Sequence, residues 1–193
     1  MKFLLKSILI LSLATASCGG NSVDTDDSDT GDSDTIRFVE YKTSDFIIDK
    51  PEDWETVTTF TSQYPDGIRA AFRDNVKDGD FVANVTVIIE ENPEKLTSFD
   101  VLQEKMGDHQ NSLLDFELLS EETLVLSVGG GESKTTLFTF SGKNESSSEP
   151  IEFMQLALAK GESAYFVTAS YDPREDEFTI ERLLTILKSF ELR

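Results

Sequence analysis

The clearest pattern in the chain is Phe81 to Glu90 (FVANVTVIIE), where apolar residues fill both alternating sets of positions. Phe81, Ala83, Val85, Val87 and Ile89 line one face; Val82, Asn84, Thr86 and Ile88 line the other. A strand that is apolar on both faces must be covered on both, so this one is predicted to be central. Shorter alternating runs predict a hairpin from Ile36–Tyr41 and Asp45–Asp49, then strands at Glu55–Phe60 and Ile68–Phe72. Turn signals lie between them at Lys42-Thr43-Ser44, Pro51–Trp54, Tyr64–Gly67 and Asp78-Gly79-Asp80. Further on, Phe116–Leu119, Thr123–Val128, Thr135–Phe140, Ile151–Lys160 and Ala164–Tyr171 read as strands. Gly129–Gly131 and Gly161-Glu162 read as turns, and Ser141–Pro150 as a polar loop. In the last of these strands Tyr165, Val167, Ala169 and Tyr171 share a face.

Two segments change to the helical period. Ser98 reads as an N-cap with Asp100 in the first turn, and Phe99, Leu102, Met106 and Leu113 form the apolar stripe. Later, Asp172 as cap and Pro173 at the first position lead a helix carrying Phe178, Ile180, Leu183, Leu184 and Leu187. Ser189–Leu192 follows as a short extended piece. Two amphipathic helices and a sheet with two apolar faces predict an α+β domain. The expected architecture is an antiparallel β-sheet flanked by helices on both faces, an α/β/α sandwich.

The N-terminal pattern is different. Lys2 and Lys6 precede an apolar run from Ser7 to Ala16, far shorter than the roughly 20 residues a membrane span needs. The sequence Thr15-Ala16-Ser17-Cys18 resembles a bacterial lipobox, in which the cysteine is lipidated and becomes the mature N-terminus; Thr15 stands where that motif usually has Leu. Residues 1–17 are therefore expected to be a lipoprotein signal peptide, with Cys18 the lipidation site. Residues 18–35 are expected to form an acidic disordered tether, since Gly19–Thr35 contains one apolar side chain, Val23. Residues 36–193 are the right length for one globular domain. The implied location is the bacterial cell envelope, lipid-anchored at the outer membrane or on the outer face of the cytoplasmic membrane. An acidic stretch after the cysteine leaves surface exposure open.

Charge and composition narrow the chemistry. The formal net charge is −20. Setting aside Lys2, Lys6 and the six aspartates between Asp24 and Asp34, residues 36–193 carry about −16 of it. Such a surface repels nucleic acid and anionic headgroups. Cys18 is the sole cysteine, so no disulfide can form within the chain. One histidine and one cysteine supply neither a Ser-His-Asp or Cys-His set nor a zinc cluster. The aspartates of the tether fail the EF-hand pattern: with Gly31 as the invariant glycine, Arg37 falls where Glu is required. Gly129-Gly130-Gly131 followed by Lys134 fails the phosphate-loop pattern, because a strand and not a helix comes next. No catalytic residue, metal site or cofactor is assigned. His109 reads as a surface or boundary residue. Trp54 reads as a core plug at the sheet edge, and with Tyr165 and Tyr171 it is a candidate ligand or partner contact. Glu90-Glu91 and Asp172/Glu175/Asp176 are the carboxylate groupings to inspect, with solvated edge and helix capping as their simpler roles.

Several short motifs resemble a known family. Phe46-Ile47-Ile48 leading into Pro51-x-Asp53-Trp54, Asn84-Val85-Thr86-Val87, a helix, a run of antiparallel strands and a closing Ile186-x-x-Ser189-Phe190 are similar to the PsbP-like superfamily. That superfamily includes the photosystem II extrinsic protein PsbP, the Ran-binding Mog proteins and bacterial lipoproteins of the DcrB type. The resemblance covers about residues 40–193. It implies a PsbP-like domain, and members that mostly bind or help assemble other proteins, with no shared catalytic residues to carry over. The expectation is a monomeric, non-enzymatic lipoprotein held at the membrane through Cys18 and binding another envelope protein. The alternative is a small-ligand carrier with a pocket between sheet and helix near Trp54; a carboxylate-dependent hydrolase is the third reading.

Overall fold

The computed structural model describes residues 36–60, 65–74, 81–146 and 148–193. The expected signal peptide, the tether with Cys18, and the Asp78–Asp80 turn lie outside the described residues. The elements are β1 (Phe38–Lys42), β2 (Phe46–Pro51), β3 (Glu55–Val57), β4 (Ile68–Arg73), β5 (Asn84–Glu91), α1 (Ser98–Ser112), β6 (Leu114–Val128), β7 (Gly131–Lys143), β8 (Ile151–Lys160), β9 (Ser163–Tyr171), α2 (Glu177–Lys188) and β10 (Glu191–Leu192). The strands form one sheet in the order β1-β2-β10-β6-β7-β8-β9-β5-β4-β3.

This is not the helix-flanked antiparallel sandwich expected from the sequence. About 52% of the described residues are in strands and 18% in helices. The sheet is mixed, because β10 runs parallel to β6 while pairing antiparallel with β2. It is also curled into a half-barrel. Ten strands at about 4.8 Å spacing make a sheet about 43 Å wide. At 1.5 Å per residue α1 and α2 are only about 22 and 18 Å long, and each is about 10 Å across. Neither can form a layer over such a sheet. The sheet instead bends toward itself: Tyr41 of β1 and Phe72 of β4 meet edge to face at 5.2 Å between ring centroids, although their strands stand eight places apart in the order.

The core divides according to the faces of the sheet. The inner face gathers Phe46, Ile48, Trp54, Phe72, Val85, Val87, Leu156, Val167 and Phe190 around Leu183, Ile186 and Leu187 of α2. On the other face, Val101, Leu102 and Met106 of α1 pack on Phe138, Phe140, Phe153 and Phe166. The strict alternation of β8 and β9 delivers residues to both clusters, as the two-sided apolar pattern of these strands requires. In β9, Tyr165, Val167, Ala169 and Tyr171 share the inner cluster while Phe166 joins the other. β5 lies between β4 and β9; Val85 and Val87 are buried on one face, while Thr86 and Ile88 on the other are half-buried, so its second face is covered only in part.

Helix starts differ slightly from expectation. The N-cap of α1 is Thr97, whose hydroxyl accepts from the Asp100 amide at 3.2 Å, while the Asp100 carboxylate accepts from the Thr97 amide at 3.3 Å. This capping box satisfies two otherwise orphaned groups. Ser98 is one residue inside, and its hydroxyl accepts from the Ala159 amide of β8 at 2.9 Å, fixing the helix to the sheet. α2 is capped by Asp176, not Asp172. Asp172 instead holds Arg174 in the preceding turn. Leu114–Val128 is one continuous strand where two pieces were expected. Ser120-Glu121-Glu122 reads as a break because that part of the strand is exposed on both sides.

Candidate functional site

Of the residues singled out by sequence, Trp54, Tyr165 and Tyr171 all enter the inner core cluster, at 2%, 8% and 3% exposure. Trp54 is seated by its turn: the Lys50 ammonium donates to the Trp54 and Pro51 carbonyls at 2.7 and 3.1 Å. The Arg182 guanidinium lies 5.5 Å over the indole ring. Arg182 also donates to both Asp53 carboxylate oxygens, at 2.8 and 3.0 Å, and lies 3.8 Å from Asp74. One α2 side chain thus joins the β2–β3 turn to the end of β4. Burial pushes the Tyr171 hydroxyl well above its usual range, helped by the Glu152 carboxylate. Burial, with Asp45 adding a smaller push, also raises Tyr165. All three side chains are packed into the core.

The carboxylate groupings have structural duties. Glu90 pairs with Lys105 at 2.5 Å. The hydrogen bond from Arg174 holds the Asp172 carboxyl down at about 2, and Asp176 accepts from the Thr179 amide at 2.8 Å. Among the described residues no three His, Cys, Asp or Glu side chains converge in a way that could hold a metal ion.

His109 is the clearest departure from the sequence reading. It is 3% exposed, beneath α1, and stacks on Phe140 at 5.0 Å. Its Nε2 lies 2.9 Å from Gln155 Oε1, and Gln155 Nε2 donates to Thr168 Oγ1 at 2.7 Å. With the Gln155 amide oxygen facing the ring, Nε2 carries the proton and donates. Nδ1 is buried and has no partner among the described residues. Burial, slightly reinforced by the Lys105 charge and opposed by Gln155 and Glu90, pulls the ring down to about 4. It is a neutral polar bolt between α1, β8 and β9. The wide spacing between single apolar positions in α1 hid the fact that His109 lies on the buried stripe with Val101, Leu102 and Met106.

An open cleft of about 490 Å³ lies at the start of α1, lined by Lys95, Thr97, Phe99, Ser133, Lys134 and Ala159 among others. Lys95 is already paired with Glu162 at 3.4 Å. Asp100 occupies the positive end of the helix through the capping box. Two of the polar groups at the cleft are thus already engaged, which leaves Lys134 as its unpaired cation among the described residues.

The surface feature missed by the sequence reading is β6. Its Leu114, Leu118, Leu119 and Val125 are 44%, 49%, 43% and 53% exposed. Only Phe99 and Phe178 of the other large apolar side chains described are comparably bare. Asp115, Glu117, Glu121 and Glu122 lie among them on the same strand. One edge of β6 is paired with β7 along its length. On the other edge, among the described residues, only Val128 is paired, with Leu192 of β10. The signal in the sequence is the run LDFELLSEET, where apolar and acidic residues are mixed without an apolar face.

No protein-family model matches the chain, and no curated protein matches it by sequence. Solved structures do resemble it. Cyanobacterial PsbP (CyanoP) from Synechocystis sp. PCC 6803 has 16% identity and a TM-score of 0.54, covering 86% of this chain and 98% of that one. PA94, a protein of unknown function from Pseudomonas aeruginosa, has 10% identity and a TM-score of 0.53, covering 79% and 94%. At these identities the likeness concerns the fold alone. The fold is PsbP-like, in agreement with the resemblance read from the sequence motifs.

Proposed function

We propose that this chain is a non-enzymatic lipoprotein of the bacterial envelope, anchored through Cys18, whose PsbP-like domain binds another protein. The observation that supports this reading is the concentration of bare apolar side chains on one strand, β6, in a domain whose other candidate contacts are sealed in the core. Isolated exposed leucines are ordinary; here four large apolar side chains stand bare along a strand that also has an open edge, and this supports a protein partner. The small-ligand alternative loses its expected pocket, since Trp54, Tyr165 and Tyr171 are packed together with α2.

The test is affinity capture from detergent-solubilised host membranes, using the lipidated full chain beside a Leu118→Ser/Leu119→Ser variant. A partner retained by the parent and lost by the variant is expected. No reproducible partner, or partners indifferent to the substitution, would overturn the reading. Labelled palmitate checks the anchor: incorporation is expected in the parent and not in Cys18→Ala. An unlabelled, freely soluble parent would exclude it.

A further inference from the structure

Resting on that reading, we infer that the outer edge of β6 accepts an extended, basic segment of a partner protein as an added strand. Leu114–Val128 is fifteen residues long, and only Val128 has a strand neighbour on the edge away from β7 among the described residues. Such an edge presents a row of backbone donors and acceptors that can pair with another strand.

The edge carries devices that select against the wrong occupant. Its register with β7 shifts twice, between Leu114 and Glu117 and between Leu118 and Ser120. Asp115 adopts φ +53°, which bends the strand at its start. Acidic side chains and bulges are the usual protection of an edge against its own kind. A second copy of this chain is disfavoured by charge. Each copy would bring the unpaired Glu117 and Glu121 to the same edge, and like charges brought together across a pair are destabilising. The acidic stretch from residue 18 to 35 meets the same repulsion. An edge that was only defended would also be polar throughout, yet Leu114, Leu118, Leu119 and Val125 remain bare.

Charge complementarity selects the remaining occupant. Asp115 is paired with Lys143 at 3.0 Å and Glu122 approaches Lys188 at 3.8 Å. Glu117 and Glu121 have no ion pair among the described residues and stand free to meet cations. A strand carrying Lys or Arg among apolar residues pairs with the open backbone groups and brings cations to the acidic side chains of this edge. The net charge of −20 draws such a segment in and adds to the on-rate.

The experiment titrates the folded protein with a synthetic peptide of alternating lysine and valine, about ten residues long to span the edge. A peptide of alternating glutamate and valine is the control. The amides of residues 114–127 are followed by NMR. Expected are binding of the basic peptide alone, with shifts concentrated on β6. Affinity should fall at least about tenfold between about 50 and 500 mM salt. It should fall to a similar degree in a Glu117→Lys/Glu121→Lys variant, whose far-UV spectrum and unfolding midpoint verify that it folds. Equal binding of both peptides, shifts located elsewhere, no binding, or binding unaffected by the charge reversal would overturn the inference. Partner capture that survives the charge reversal but is lost in Leu118→Ser/Leu119→Ser would leave the protein-binding reading standing and remove this one alone.

Discussion

Replacing His109 with glutamine is expected to change the shape of the stability–pH curve more than its height. In the folded protein the ring is held at about 4 against an ordinary 6.5, first by burial and then by the Lys105 charge, with Gln155 and Glu90 opposing. The unfolded chain therefore binds a proton to this ring through the window from about 6.5 to about 4 that the folded chain refuses. The sign follows. The folded-state pKa of a basic group is lowered, so stability is fully present above about 6.5, declines as the pH falls, and levels off below about 4. At about 1.4 kcal/mol per pH unit the whole displacement corresponds to about 3 kcal/mol, and to about 2 kcal/mol by pH 5. The physical source is the Nδ1 atom: protonation there creates a buried donor with no acceptor among the described residues. Glutamine keeps a donor for Gln155 and cannot titrate. Urea unfolding of parent and His109→Gln at intervals from about pH 7.5 to 4.5 isolates the effect, because the contributions of titrating groups remote from His109 cancel in the difference. The parent is expected to lose about 2 kcal/mol relative to the variant between pH 7.5 and 5. Parallel curves would refute the assignment of a neutral, buried His109.

Two further outcomes follow from packing. Arg182→Met is expected to cost about 3 kcal/mol in urea unfolding, because it takes the cation from Asp53 and from beside buried Asp74. A second substitution, Asp74→Asn, should recover part of that loss; no recovery would mean that the cost lies in packing on Trp54. Gly67→Ala is expected to destabilise by about 2–3 kcal/mol, since φ is +85° and an added Cβ would meet the Ile89 carbonyl oxygen at 2.3 Å. Gly130→Ala, at φ +80° with nothing within 4 Å, should cost only about 1 kcal/mol. Equal unfolding midpoints for the two would contradict this.

Most strands could be read from the sequence because local alternation marks them: β5, β8 and β9 carry their two-faced pattern in consecutive residues. The curl could not, because it depends on contacts such as Tyr41 with Phe72 that no local period encodes. The pairing of Leu192 with Val128 was equally hidden, since two residues carry no periodicity. A lipobox is local in sequence, and thiol, imidazole or zinc chemistry can be weighed from a chain with one histidine and one cysteine. An interaction edge is an absence of pairing, visible only once every neighbour has been placed. His109 shows the same limit at one residue: its burial depends on which side of α1 meets Gln155, and the helical stripe fixed that only to within one residue per turn.

The position of β10 has a consequence for the order of folding. Glu191 and Leu192 are the only hydrogen-bonded link between the β1–β2 hairpin and β6 among the described residues. The Arg193 amide donates to the Asp45 carbonyl, and the Gly129 amide donates to that of Leu192. A hairpin made from residues 38–51 must therefore wait, during synthesis, for residues some 140 positions later before its backbone joins the sheet. Closing so long a loop is slow. Until then the chain exposes Phe46 and Ile48, which binds its vulnerability to aggregation to the time taken by one two-residue strand to arrive.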